Sequence, residues 1–244
     1  ANNDITVIVD GDLVLWPKYQ AKIGDTKYKY LADAMKNVKN GETITLMENY
    51  EGDITFVQAP DMKITFDGDN KEFKGTITVD GKSAAYATAG LTIKNVKFLA
   101  DGITKDASIN LGGSNAIRYT SNVTVEGCTF TGTNKDKVGI KSYTGGDKNL
   151  TITNCFATGM HSLAQVKNVT GVTVSGCTID NSKNGIALGQ STNVAINGGT
   201  IEVDGYGIRM DAQYNNNAVI ENTKIKAFIP VVVRKASVDS NVTF

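Results

Sequence analysis

Hydrophobic positions in this 244-residue chain alternate in short bursts and do not recur at helical spacing, outside one segment near the start. Leu150-Thr151-Ile152-Thr153-Asn154 is representative: apolar, Thr, apolar, polar, then a residue suited to a bend. Alternation of period two makes a strand with one buried face, so Leu150 and Ile152 are predicted to point inward and Thr151 and Thr153 outward. The burst recurs from Leu91, Val123, Val172, Val194 and Ala218, with a partial copy at Val242; successive starts are 32, 27, 22, 22, 24 and 24 residues apart. A second marker falls at Ile117, Ile140, Ala164, Ile186, Ile208 and Val232, at separations of 23, 24, 22, 22 and 24. Two markers sharing one period define a structural repeat.

A unit of that length holds two or three strands of three to five residues and no helix. Bent at its turns, it closes around its own apolar side chains. Stacked, each strand pairs in parallel with its equivalent about 4.8 Å away, and no coil buries its face without neighbours. The prediction is an all-β parallel β-helix. The fifth position of the burst supports it, because Asn95, Gly127, Asn154, Gly176, Gly198 and Asn222 are the residue types that enter the left-handed region readily. Asparagines stacked there are expected to hydrogen-bond along the ladder. The next position carries Cys128, Cys155 and Cys177, expected to lie above one another, inward and reduced. Phe130, Ile179, Ile201 and Ile225 continue the inner face; in the Cys155 coil, Phe156 takes the outward place and Ala157 the inward one.

Composition agrees with short strands and tight turns: 27 Thr, 23 Asn and 25 Gly against 3 Pro. One histidine, His161, leaves no room for a multi-histidine metal site, and the cysteine spacing fits no zinc pattern. We therefore expect no metal and no cofactor. Twenty-five basic and 25 acidic residues leave no net charge, which argues against a nucleic-acid binder, and no apolar run is long enough for a membrane helix.

The ends differ from the middle. Residues 28–38 are the one helix candidate, with Leu31, Ala34, Met35 and Val38 on one face and Asn40-Gly41 as the stop. Residues 5–15 form two strand-like pieces around Asp10-Gly11-Asp12, and Trp16 and Tyr19 beside Pro17 suit packing in a cap. The domain reading is a strand-and-helix cap over residues 1–40 and a β-helix over 41–244. The chain starts at Ala1 with neither Met nor an apolar signal segment, as a mature secreted protein or a trimmed chain would, and stops at Phe244 inside a copy of the repeat, so it is expected either to be cut from a longer protein or to have its last coil covered by neighbouring domains or an oligomer contact.

The pattern Val172-Thr-Val-Ser-Gly-Cys-Thr-Ile179, with its Asn/Gly ladder, resembles the right-handed parallel β-helices of the pectin-lyase-like superfamily, over roughly residues 41 to 244. Tyr30-Leu31-Ala32-Asp33-Ala34 followed by Asn40-Gly41-Glu42-Thr43-Ile44 resembles the opening of bacterial secreted β-helix proteins, in which a helix lids the first coil. The resemblance implies a right-handed coil, a bacterial, secreted or cell-surface setting, and polysaccharide chemistry as the activity to look for. The motifs of that activity are missing. Pro230 precedes Arg234 without the Arg-x-Pro-x-x-Arg run of pectate lyases, and there is no Asp-Asp pair or His-Gly as in polygalacturonases. Cleavage of a glycosidic bond by acid–base catalysis needs two carboxylates facing it, and none share a register.

One outward strip remains. If Ile117, Ile140, Ala164, Ile186 and Ile208 point in, the residues after them, Arg118, Lys141, Gln165, Ala187 and Arg209, point out, and Tyr143, Lys167 and Asp211 follow two places on. Arg118, Lys141, Tyr143, Lys167, Arg209 and Asp211 are the candidate ligand-binding residues, suited to a polysaccharide or host glycan. Asp10-Gly11-Asp12 and Asp67-Gly68-Asp69-Asn70 read as turns, and the sequons at Asn122, Asn149, Asn168 and Asn241 as turn residues before an apolar-Thr strand. The expected function is a non-catalytic surface adhesin or weak glycan-binding module. The alternatives are a polysaccharide lyase or glycoside hydrolase with an unrecognised site, and a trimeric phage-type receptor-binding fragment.

Overall fold

The computed structural model describes residues 6–9, 12–15, 18–81, 88–112, 119–142, 147–212, 217–235 and 241–244. Three sheets run along a solenoid, with eleven, eight and eight strands, and the order in each skips two strands in sequence at every step, except at the N-terminal end of the eleven-stranded sheet. This is the signature of a coil with one strand per sheet, stacked in parallel. The long sheet contains Thr43–Leu46, Lys63–Asp67, Gly90–Lys94, Ser121–Glu126, Lys148–Thr153, Thr170–Ser175, Thr192–Asn197 and Asn217–Glu221. The short sheet contains pieces such as Lys97–Leu99, Thr129–Thr131, Phe156–Thr158 and Thr178–Ser182. The third sheet contains Ile54–Gln58, Ile77–Gly81, Ala107–Leu111, Val138–Ser142, Ser162–Lys167, Ile186–Gly189, Tyr206–Ala212 and Ile229–Lys235.

Register turns the alternation into columns. Ile44, Phe66, Ile93, Val125, Ile152, Val174, Ile196 and Ile220 lie one above another and are all buried. Thr65, Thr92, Thr124, Thr151 and Thr173 form the outward row beside them. In the short sheet Phe73, Phe98 and Phe130 form a column, the first pair meeting edge-on at 5.6 Å and the last stacked at 4.9 Å between centroids and 4° between planes. Ala157, Ile179 and Ile201 continue that column, with Phe156 outward as expected.

The bend ladder behaves as expected in backbone and differently in side chains. Asn95, Gly127, Asn154, Gly176, Gly198 and Asn222 all have φ between 52° and 69°. The asparagines do not bond one another there, because glycines lie beneath them: a Cβ on Gly176 would come within 2.6 Å of Asn154 Oδ1. Asn–Asn pairing occurs one turn away, where Asn149 Nδ2 donates to Asn122 Oδ1 at 2.8 Å; both residues have positive φ, which accounts for two of the sequons. The three cysteines are buried, free and aligned, each Sγ donating to the carbonyl two residues earlier at 3.4 Å. The neighbouring Cys128 thiol, and then burial, push Cys155 up to about 12, and Cys177 is raised by the Cys155 thiol beside it and by burial.

Two register expectations are corrected. The inward partner of Ile140 is Ile109, not Ile117, and Ile208 stands beside Val231, not Val232. The coil between Ile109 and Ile140 is 31 residues long, so a fixed period lands in the wrong place; Ala107–Leu111 carries the alternation instead. Ile117 lies outside the described residues.

At the N-terminal end, Ala21–Ile23 pairs antiparallel with both Thr26–Tyr28 and Thr43–Leu46, covering the edge of the first coil. The helix spans Leu31–Asn37, shorter than 28–38 because Tyr30 is extended; Leu31 and Ala34 are buried. Thr6–Val9 and Asp12–Leu15 form a hairpin around positions 10–11, which lie outside the described residues, as do Trp16 and Pro17. Tyr19 is partly buried, with the Lys27 ammonium 5.8 Å from its ring. In the Asp67–Asn70 turn, Asp69 N donates to Asp67 Oδ1 at 2.9 Å. At the other end Phe228 is 84% exposed, and Ile229 and Val233 are also exposed.

Candidate functional site

The corrected register assembles the outward strip on the third sheet. Asn110, Lys141, Gln165, Ala187, Arg209 and Val232 form one row, and Lys167, Gly189, Asp211 and Arg234 a second. The place beside Lys141 expected for Arg118 belongs to Asn110; Arg118 and Tyr143 lie outside the described residues. Lys167, Arg209 and Asp211 do share this face. Between them lies a step, because the Ile186–Gly189 coil presents only Ala187 and Gly189 outward. Gln165 and Lys167 rise on one side and Arg209 and Asp211 on the other, with two coil spacings, about 9.6 Å, between their main chains. The Lys167 stem leans toward the floor; a Cβ on Gly189 would be 3.4 Å from Lys167 Cγ.

Several of these charges are engaged. Arg209 holds Asp211 in a fork, Nη2 to Oδ2 at 2.7 Å and Nε to Oδ1 at 3.1 Å, and this contact raises the guanidinium further above its ordinary value. Arg209 also stands 5.7 Å from the Tyr206 ring, and Arg234 lies 3.8 Å from Asp211. The Lys141 ammonium donates to Asp106 at 3.1 Å. Lys167 has no ion-pair partner among the described residues. Among the described residues, Lys141, Lys167, Arg209 and Arg234, with Lys183 in the adjoining turn, surround the step, and the carboxylates that pair with them are Asp106 and Asp211. Four coils separate those two, about 19 Å, far beyond the spacing that lets two carboxylates share one glycosidic bond.

At the edge of the strip stands a residue the sequence pattern did not select. His161 precedes Ser162–Lys167 in the turn, partly buried, with Gln165 Nε2 2.8 Å from its Nδ1. An amide NH2 can only donate, so Nδ1 accepts and the neutral ring carries its proton on Nε2. Burial first, then the charges of Lys183 and Lys141, push the imidazole below its ordinary value. Its backbone fixes it between coils: His161 N donates to Lys137 O at 2.7 Å, and His161 O accepts from Asn184 N at 2.8 Å. Period-two reasoning could place Gln165 outward but could not place a turn residue against it.

A cleft of about 630 Å³ on the short sheet is lined by Asp180, Glu202, Asp204 and Lys226. Its acidic groups are largely engaged, Glu202 by Lys226 and Asp204 by Lys135 at 2.8 Å. Among the described residues no group of three or more His, Cys, Asp or Glu side chains is arranged to hold a metal ion.

Residues 76–241, well over half the chain, match the family of right-handed β-helix regions, and the protein belongs to that family. The solenoid is therefore a right-handed parallel β-helix. No curated protein matches the chain, and no solved structure does.

Proposed function

We propose that this β-helix is a non-catalytic module displayed outside a bacterial cell, and that the third-sheet face binds an acidic polysaccharide. The observation that carries the reading is the step over Ala187 and Gly189, flanked by Gln165 and Lys167 on one side and Arg209 on the other. A floor of small side chains admits a sugar ring, and donors at both rims suit its carboxylates and hydroxyls. The resemblance to the pectin-lyase-like superfamily supports a carbohydrate ligand, and the exposed apolar side chains of the last coil support a neighbouring domain or a second subunit there. An open face encloses little of a ligand, so the affinity is weak and fades with salt.

The test is titration of uronic-acid oligosaccharides against the wild type and a Lys167→Ala/Arg209→Ala pair. Hydrogen bonds to charged groups contribute about 1.5–3 kcal/mol each, so the pair is expected to lose at least about a hundredfold in affinity. Equal signals from both proteins, or none from either, would leave this face as scaffold. Time-dependent shortening of the oligosaccharide would establish the lyase or hydrolase alternative.

A further inference from the structure

We propose that His161, Gln165, Lys141 and Lys183 form an anion subsite that takes a carboxylate or sulfate group of the ligand together with one proton. The inference rests on the reading of the third-sheet face as a glycan-binding surface and adds a regulatory term to it.

The argument starts from what faces the imidazole. Lys141, which its strand pairs with Gln165, and Lys183, whose backbone N–H donates to Met160 O at 2.9 Å, are the two cations whose charge reaches the ring. Beyond Lys141 is Asp106, whose carboxylate accepts from that ammonium. Lys137, in the turn whose backbone carbonyl receives the His161 N–H, sends its own ammonium to the Lys105 carbonyl at 3.0 Å. On the strand that follows it, Gln165 meets the ring. The turn therefore brings a neutral donor, Nε2–H, into the field of two ammonium groups, with Asp106 on the far side of one of them.

That arrangement favours an anion, and the ring takes a proton more readily once the anion is present. Burial first, and then the two ammonium charges, resist a proton on the ring. A bound carboxylate or sulfate offsets the surplus and makes protonation favourable. Gln165 serves both states: turning its amide exchanges the NH2 that donates to Nδ1 for the oxygen that accepts from a protonated Nδ1. By linkage, an anion that raises the His161 midpoint by one pH unit binds about tenfold tighter on the acid side.

His161 is the only histidine, so its ring resonances are unambiguous in NMR. The probes are trigalacturonate, a sulfated trisaccharide and neutral maltotriose, titrated at pH 5 and pH 8. We expect the acidic probes to raise the His161 midpoint and to bind more tightly at pH 5 than at pH 8, by about tenfold for each full unit by which the midpoint rises. The His161→Gln variant should bind equally at both pH values. A response to trigalacturonate alone, or to the sulfated sugar alone, identifies which group the subsite takes. Lys183→Gln provides a check without any ligand, since removing that charge should raise the midpoint in the free protein. An acidic probe that binds the wild type without moving the midpoint would overturn the subsite and leave the glycan-binding face standing. If no probe binds, both fall.

Discussion

Ile152 offers the sharpest test of the register. It is fully buried, midway along a column, with Val125 on the preceding coil and Val174 on the following one. Ile152→Ala removes three buried carbons, about 2.4 kcal/mol of transfer free energy at about 0.8 kcal/mol each. The neighbours cannot close the gap, because their strands are held at ladder spacing by hydrogen bonds above and below. A cavity contribution therefore adds, and the total is expected to fall between about 3 and 5 kcal/mol. For a chain of this length that lowers the melting temperature by roughly 6 to 20 °C. Thr151→Ala, one residue away on the outward row, should change stability by no more than about 0.5 kcal/mol. Ile220→Ala should cost less than Ile152→Ala, because the residue is near the open end and 6% exposed. Urea unfolding followed by circular dichroism measures all three. Equal losses at positions 151 and 152, or a loss below about 1 kcal/mol at Ile152, would refute the inward register.

Two further outcomes are expected. Ellman's reagent should find almost no thiol in the native protein and three after denaturation, since Cys128, Cys155 and Cys177 are free and buried; a single thiol in denaturant would reveal a disulfide. Asp147 is raised by burial, which outweighs the hydrogen bonds it accepts from Ser142 and Thr120. With its folded value above the unfolded one, its contribution is complete below the unfolded value and lost as pH rises through the folded one. Relative to Asp147→Asn, the wild type should therefore gain stability as pH falls from neutrality toward the ordinary carboxylate range; identical pH profiles of the denaturation midpoint would exclude this.

The long sheet was legible in the sequence because its signal is local. Leu150, Ile152 and Asn154 state strand, buried face and bend within five residues, and the same statement recurs in register. The third sheet was legible only where the coils keep near-constant length. From Ala164 to Ile208 each coil spans 22 residues, and Gln165, Ala187 and Arg209 were placed together correctly. Before Ile140 the coil is longer, and Ile117 took the place of Ile109. Charge pairing was harder still. Asp106 and Lys141 are 35 residues apart, and no periodicity announces that one neutralises the other. His161 was passed over because its place depends on a turn, where side-chain direction is not set by alternation.

The step on the third sheet has an evolutionary consequence. Each coil touches only the coils on either side, and its column positions are interchangeable with theirs. Deleting one whole 22-residue coil, the one bearing Ala187 and Gly189, would keep every column continuous, with Ala164 beside Ile208 and Leu150 or Val172 beside the next apolar residue. The scaffold would tolerate the loss, but Gln165 and Lys167 would then stand directly against Arg209 and Asp211, and the floor would be gone. Whole-coil gain and loss thus offers this architecture a way to redraw a recognition surface in a single genetic event, without passing through an unfolded intermediate sequence.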